Sequence, residues 1–149
     1  VGLRVGHRLR TQGEGKTMKH STLHVRTGAH TELNDITSQV AKVVHESGVQ
    51  EGRCTVYIPH TTCGVTINEN ADPSVKKDIL KELNKVIPLN DGYAHMEGNS
   101  AAHIKSSLMG FSVTIPVSGG RMMLGTWQGI YLCEFDGPRS RKTVVSVGD

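Results

Sequence analysis

One stretch of strict alternation restricts the fold of this chain more than any other feature. Apolar side chains at Phe111, Val113, Ile115 and Val117 alternate with small or polar ones. Because successive side chains of a strand point to opposite faces, this stretch predicts a strand with one face in the core and one face outside it. Pro116 has no amide proton to donate, so we expect this strand at a sheet edge or at a bulge.

Similar patterns predict five further strands and three helices. Alternation or short apolar runs predict strands near residues 21–25, 54–58, 64–68, 129–135 and 143–147. Helices are predicted between a cap at Asn34 or Asp35 and a stop at Gly48, between Asp72 and Pro88, and from about Asn99 to Leu108. This order lacks the regular βαβ repeat of a parallel sheet. It therefore predicts an α+β fold with an antiparallel β-sandwich-like core and about three helices.

The sequence excludes a membrane protein and argues against a nucleic-acid-binding one. The 149 residues suffice for one domain, and no apolar run approaches the roughly 20 residues of a membrane-spanning helix. Residues 1–19 contain five Lys or Arg and one acidic residue, whereas residues 20–149 contain 12 basic and 13 acidic residues. With 4% aromatic residues, the chain has few groups on which bases could stack. We predict a disordered or vector-derived tail over 1–19, a single domain over 20–149, and neither membrane nor nucleic acid as partner.

The cysteines predict a reducing compartment. Cys54, Cys63 and Cys133 are odd in number and have no Cys-x-x-Cys spacing, so neither a disulfide framework nor a thiolate zinc site is indicated. Each lies in an apolar, strand-like stretch, which favours small core residues over catalytic thiols. We therefore expect a cytoplasmic protein.

Three of the eight histidines are candidate metal ligands. His60, His95 and His103 occur in turn-like or helix-start surroundings beside small residues. Imidazole nitrogen suits zinc, and three such ligands with an open fourth position are typical of a catalytic site. Because His95 and His103 are more loosely spaced than two histidines on one helical turn, surface or hydrogen-bonded core histidines remain the alternative.

The glycine-rich segment 118–129 has two possible roles. Its backbone amides could approach an anion, with Arg121 adding positive charge. The alternative is a hairpin turn in which Trp127 is a packing anchor.

Segment 134–141 is the best phosphate-binding candidate in the sequence. It joins two carboxylates and a proline-containing turn to Arg139 and Arg141, and guanidinium groups bind phosphate through paired hydrogen bonds. The alternative is a solvated turn whose charges pair among themselves.

Several short blocks occur in order over about residues 20–149. They are 59–64 (PHTTCG), 66–70 (TINEN), 72–73 (DP), 91–95 (DGYAH), 99–103 (NSAAH), 125–128 (GTWQ) and 136–139 (DGPR). Taken together, these blocks resemble the YjbQ family, also called uncharacterised protein family 0047 or secondary thiamine-phosphate synthase. The resemblance implies a compact α+β fold with a β-sandwich, a homotrimer, and a metal site near the boundary between subunits.

The resemblance also implies roles for individual residues. His60, His95 and His103 are the implied ligands of a divalent metal ion, for which zinc is expected. The other residues of the matching blocks are implied to lie near this metal site. The candidate catalytic side chains are Asp91, Glu69 and Arg139, and the candidate substrate-binding side chains are Asn70, Trp127, Gln128 and Arg139. Arg141 is added to the second group for its charge.

The activity implied by the resemblance joins a pyrimidine pyrophosphate to a thiazole phosphate and releases pyrophosphate. A metal ion and arginines can stabilise the negative charge that develops on such a leaving group. A small phosphorylated metabolite is thus the expected ligand. The alternative is a trimeric metal-binding protein that binds an unidentified phosphorylated metabolite without this catalysis.

Overall fold

The computed structural model describes residues 18–149. Within this range the chain forms eight strands and three helices. They are β1 (Lys19–Arg26), β2 (Glu32–Asp35), α1 (Thr37–Ser47), β3 (Gly52–Tyr57), β4 (Cys63–Glu69), α2 (Pro73–Val86), α3 (Ser100–Met109), β5 (Ser112–Ser118), β6 (Arg121–Met122), β7 (Gln128–Glu134) and β8 (Ser140–Gly148).

The strands form two antiparallel sheets. Five strands follow the order β1-β8-β3-β5-β6 in the first sheet, and three follow the order β2-β7-β4 in the second. Every strand pair is antiparallel. The predicted α+β class, the two-sheet core and the three helices are therefore confirmed.

The central strand of the small sheet is buried on both faces. Ile130 and Leu132 pack in the main core with residues of α1 and the large sheet. Tyr131 and Cys133, on the opposite face, pack in a second cluster to which α2 and α3 contribute. A strand covered on both sides needs apolar residues at consecutive positions, which explains why β7 has an apolar run instead of an alternating pattern.

The alternation that predicted β5 corresponds to its burial. Ile115 and Val117 are buried and Val113 is half-buried, whereas the intervening side chains are exposed. Strand β6 pairs only with Val117 and Ser118, so β5 is an edge over the rest of its length. Pro116 lies where this pairing ends: its carbonyl accepts the Met123 amide at 2.8 Å, and its nitrogen has no proton with which to continue the ladder.

Local sequence signals correctly placed most of the helix ends, but not the start of α1. The Asp72 carboxylate accepts a 2.9 Å hydrogen bond from the Ser74 amide at the start of α2. Helix α1 ends at Gly48, which has the left-handed φ of 72° that glycine adopts at low cost. The N-cap of α1 is Ile36 and not Asn34 or Asp35, although the Asp35 carboxylate accepts the Thr37 amide at 2.9 Å.

The domain starts slightly earlier than the sequence predicted. Strand β1 begins at Lys19, which pairs with Val147, so this residue belongs to the sheet and not to the predicted tail. Met18 is described and lies just before this strand, and residues 1–17 of the predicted tail lie outside the described residues. None of the helices described over residues 18–149 is long and apolar enough to cross a membrane.

All three cysteines are buried and free, as expected for core residues. Burial raises the pKa of Cys54 to about 11 and that of Cys63 to about 12, and it also raises the pKa of Cys133. Thiols with such high pKa values are poor nucleophiles at neutral pH.

Candidate functional site

The predicted site residues divide between the two ends of the paired strands β4 and β7. Cys63 lies opposite Glu134 at one end, and Glu69 lies opposite Gln128 at the other. We call these the Glu134 end and the Gln128 end. A strand of seven residues spans about 20 Å, so one small substrate cannot contact both ends of the same subunit.

A buried ion pair forms the base of the Glu134 end. The guanidinium group of Arg141 donates to both carboxylate oxygens of Glu134, with Nε distances of 2.9 and 3.1 Å. The Thr27 hydroxyl donates to the same carboxylate at 2.7 Å, and Arg141 also donates to the Thr62 hydroxyl oxygen at 2.9 Å. Burial by itself raises the pKa of Glu134, but hydrogen bonds led by that from Arg141 outweigh it and lower the pKa.

This arrangement corrects the expectation that Arg141 is free to bind a substrate phosphate. Its side chain is buried, and its Nε and Nη2 groups donate to Glu134 and Thr62. The alternative weighed for segment 134–141, charges that pair among themselves, describes Arg141 better, although the pair is buried and not solvated.

Arg139 is the accessible guanidinium group of this segment. Its Nε donates to the Asp136 carbonyl at 2.8 Å, and Nη2 lies 3.2 Å from the Asp136 carboxylate. The Asn99 side chain, at the start of α3, donates to that carboxylate at 3.0 Å. Because half of the Arg139 side chain is exposed, its remaining donors can reach a phosphate group. The oxygen Oδ1 of Asn99 is buried and has no hydrogen-bond partner among the described residues.

His60 lies at the Glu134 end but is bonded to the backbone. The Lys142 amide donates a 2.9 Å hydrogen bond to Nε2 of His60. Burial, followed by the nearby positive charge of Arg141, lowers the pKa of His60 and favours the neutral ring. In a neutral imidazole that accepts a hydrogen bond at Nε2, the proton is on Nδ1, so neither nitrogen has a free lone pair.

His95 and His103 come together in an open pocket. Their ring centroids are 5.5 Å apart and the rings are perpendicular. The pocket has a volume of about 450 Å³ and is lined by Tyr93, Ala94, His95, Ser100, His103 and Ile104. Predicted catalytic residue Asp91 is exposed two positions before Tyr93 on the loop from α2 to α3.

The centroid distance of this pair is close to that of two histidines on one metal ion, but the predicted set of three ligands does not assemble. Two imidazoles on one tetrahedral zinc, with Zn–N bonds of about 2.0–2.1 Å, have centroids roughly 5 Å apart. No cluster of three His, Cys, Asp or Glu side chains with the arrangement of a metal site occurs between residues 18 and 149. Two of the three predicted ligands, His95 and His103, are thus close together, whereas His60 is bonded to the Lys142 amide.

The Gln128 end contains the other predicted residues. The Asn70 side chain donates to the Asp35 carboxylate at 3.1 Å, and the Asn70 amide donates to the Trp127 carbonyl at 3.0 Å. The Gln128 side-chain oxygen accepts the Gly125 amide at 2.8 Å. Glu69 contributes its carbonyl oxygen, which accepts the Tyr131 hydroxyl at 2.9 Å.

The glycine-rich segment is the predicted hairpin, but its tryptophan is not a packing anchor. Gly119 and Gly120, with φ of 58° and 75°, form the turn between β5 and β6. Trp127 is 63% exposed, so most of its ring is available to a ligand or to another molecule.

Sequence reasoning missed Asn99 and Asp136 as positioning residues and Glu134 as the partner of Arg141. Asn99 and Asp136 each begin one of the quoted blocks, 99–103 and 136–139, so a signal was present. The burial of Glu134 had no sequence signal, because acidic residues are rarely buried.

Comparison with known sequences identifies the family to which this chain belongs. The sequence model of the protein family described as UPF0047 protein YjbQ-like matches residues 21–149. A UPF0047 protein of Methanocaldococcus jannaschii is 53% identical over 123 residues, which cover 83% of this chain and 89% of that protein. The UPF0047 protein YugU of Bacillus subtilis is 50% identical over 127 residues, which cover 85% of this chain and 96% of that protein.

Solved structures are similar over the same part of the chain. An uncharacterised conserved protein of the YjbQ/UPF0047 family from Clostridium acetobutylicum has a TM-score of 0.83 and 54% identity, with 84% of this chain and 97% of that chain covered. A YbjQ-like protein of unknown function from Sulfolobus solfataricus has a TM-score of 0.86 and 31% identity, with 89% and 98% covered. This chain therefore belongs to the YjbQ (UPF0047) family.

Proposed function

We propose that this chain is a metal-dependent enzyme with secondary thiamine-phosphate synthase activity, which acts as a cytoplasmic homotrimer. It joins a pyrimidine pyrophosphate to a thiazole phosphate and releases pyrophosphate. The observation that carries the proposal is the edge-on pair of His95 and His103 in an open pocket. The accessible guanidinium group of Arg139 is linked to the start of the same helix through Asp136 and Asn99.

His95 and His103 would hold the divalent metal ion, for which zinc is the best match. Neutral nitrogen ligands leave the ion its full double charge, which can stabilise negative charge on phosphate oxygens. A third ligand would come from Glu97, whose carboxylate lies 3.8 Å from Nε2 of His95, from another subunit, or from His60 after it leaves the Lys142 amide.

Arg139 would bind and orient the pyrophosphate group. Asp136 accepts from two of its nitrogens, which fixes the plane of the guanidinium while leaving other N–H groups exposed. A fixed donor loses little entropy on binding, so its interaction with a leaving phosphate is favourable.

An apolar surface beside the histidine pocket supports the trimer. Met96 is fully exposed, and Val86, Leu108, Leu89 and Ile104 are all exposed on the segment from the end of α2 through α3. Ile104 also lines the histidine pocket. An apolar surface of this kind favours a protein interface, which would place the pocket at a boundary between subunits.

The second candidate is a trimeric metal-binding protein that binds an unidentified phosphorylated metabolite without this catalysis. The bond between Lys142 and His60 favours it, because a catalytic site with three histidines of one subunit is not assembled. Sites for purely structural zinc usually have four protein ligands that include cysteine, whereas the cysteines here are buried in the core.

The test compares wild type with His60→Ala, His95→Ala and His103→Ala, and with the exposed control His45→Ala. Each protein is equilibrated with zinc, passed through gel filtration and analysed for metal, folded mass and formation of thiamine phosphate. We expect loss of metal and activity in the His95 and His103 variants, and a mass of about three times the 16.2 kDa of one chain. Metal binding without activity in wild type would favour the second candidate, and equal metal in all five proteins would overturn both.

A further inference from the structure

A small pocket separate from the histidine pair contains a buried lysine. The pocket lies between the end of α2, helix α3 and the turn that connects β1 to β2. Its volume is about 220 Å³, and it is lined by His30, Thr31, Asn84, Pro88, Leu89 and Lys105. No acidic residue is part of this lining.

Lys105 is a buried cation whose charge no carboxylate offsets. Its side chain is 4% exposed, and within residues 18–149 no ion pair with a carboxylate is formed. Its partners are the Asn84 side-chain oxygen at 2.6 Å and the Phe135 ring, whose centroid is 6.0 Å from Nζ. Both contacts suit an ammonium group, but neither neutralises it.

The two other buried charges of the described chain show the contrast. Glu134 and Arg141 are buried together and satisfy each other. Burying a charge without such a partner is costly. Burial lowers the pKa of Lys105, as expected for an ammonium group that has lost water without gaining a counterion.

Hydrogen-bond donors also converge on this pocket. The Asn84 side-chain nitrogen donates to the Thr31 hydroxyl oxygen at 3.2 Å. The Thr31 proton is therefore free to point to a different acceptor. The ammonium of Lys105 has three protons, and Asn84 accepts one of them.

We propose that this pocket binds a small oxyanion, a single phosphate or carboxylate group, with Lys105 as its counterion and Thr31 as a second donor. The volume is below the roughly 300–1,000 Å³ of sites for larger ligands, which limits the ligand to a small molecule or a single terminal group. This inference does not depend on the proposed function.

The test is an NMR titration of the full-length chain, with EDTA present so that bound metal contributes nothing. Inorganic phosphate and acetate are the two probes, and the amide signals of Thr31, Asn84 and Leu89 report binding. The variants are Lys105→Met and Thr31→Val, and Lys81→Met on the exposed face of α2 is the matched control. Lys105→Met should fold, since it replaces a buried charge by an apolar chain of similar length.

We expect saturable shifts in wild type, at least tenfold weaker binding in Lys105→Met, several-fold weaker binding in Thr31→Val, and wild-type binding in Lys81→Met. The pKa of the Lys105 ammonium should rise when the anion is bound. Tighter binding of phosphate would identify a phosphate-bearing ligand, and tighter binding of acetate a carboxylate. Absence of saturable shifts in wild type, or equal affinity in wild type and Lys105→Met, would overturn the proposal.

Discussion

The backbone amide of Lys142 donates a 2.9 Å hydrogen bond to Nε2 of His60, across 82 positions of sequence. This bond joins the turn between β3 and β4 to strand β8. It also determines the chemistry of the ring, because an acceptor at Nε2 requires the proton of a neutral imidazole to be on Nδ1. His60 therefore enters any metal site only by breaking this bond.

The first prediction concerns the tautomer of His60. In the metal-free protein near pH 8, we expect the Nδ1–H form, because the Lys142 amide occupies Nε2. Long-range nitrogen–proton NMR spectra of the ring distinguish the two tautomers. Observation of the Nε2–H form would show that the bond is absent in solution.

The second prediction is the effect of pH on stability through the same residue. The pKa of His60 is lowered in the folded protein from the ordinary value of 6.5, so the folded state binds fewer protons than the unfolded state just below that pH. Its contribution to the free energy of unfolding is therefore fully present above pH 6.5 and is lost as the pH falls toward the folded pKa. Urea unfolding of wild type and His60→Gln should show a weaker pH dependence in the variant. His45→Gln controls for removal of an exposed histidine, and identical profiles in wild type and His60→Gln would contradict the prediction.

The third prediction separates the two arginines of segment 134–141. Replacing Arg141 by Met leaves the buried Glu134 carboxylate without its partner and should lower the free energy of unfolding by about 3–5 kcal/mol. Arg139→Met removes a half-exposed side chain and should change stability by less than about 0.5 kcal/mol. The double variant Glu134→Met/Arg141→Met should regain only part of the loss, because it also removes the acceptor of the Thr27 hydroxyl. Urea unfolding measures all three, and similar stabilities of the two single variants would refute the structural role of Arg141.

Much of the fold followed from local signals, and the missed elements depend on pairing. Asp72 and Pro73 marked the start of α2 from their own chemistry, as Gly48 marked the end of α1. Strand β2 is four residues long, is mostly polar, and is defined by its pairing with β7. A segment of that kind has no periodicity of its own to detect.

The candidate site was predictable by residue type but not by arrangement. The burial of Arg141 depends on β7 and β8 bringing it to Glu134, and the bond from Lys142 to His60 joins distant segments. Neither follows from spacing in the sequence. The separation of Glu69 and Asn70 from His60 did have a signal, since the intervening residues had been assigned to a strand, and a strand extends about 3.3 Å per residue.

The fourth prediction uses a glycine of the Gln128 end. A Cβ added at Gly129 would lie 2.4 Å from Nδ2 of Asn70 and 2.7 Å from its Cβ and Cγ. Gly129→Ala should therefore displace the Asn70 side chain from Asp35 and lower the free energy of unfolding by about 1–3 kcal/mol. The control Gly28→Ala places its Cβ at an ordinary 3.7 Å from its nearest neighbour. Unchanged side-chain amide signals of Asn70 in Gly129→Ala would contradict this expectation.

The fifth prediction follows from the separation of the two ends of β4 and β7. If both ends serve one substrate in the proposed trimer, the Gln128 end of one subunit has to meet the Glu134 end of another. Asn70→Ala and Arg139→Ala should then each be inactive alone and complement each other in mixed trimers. In any cyclic trimer that contains both variants, one of the three boundaries combines two intact ends. An equal mixture refolded together should therefore recover about a quarter of wild-type thiamine phosphate formation.

Separately refolded variants, mixed afterwards without exchange, are the control and should stay inactive. Absence of recovery in confirmed mixed trimers would assign the two ends to different roles.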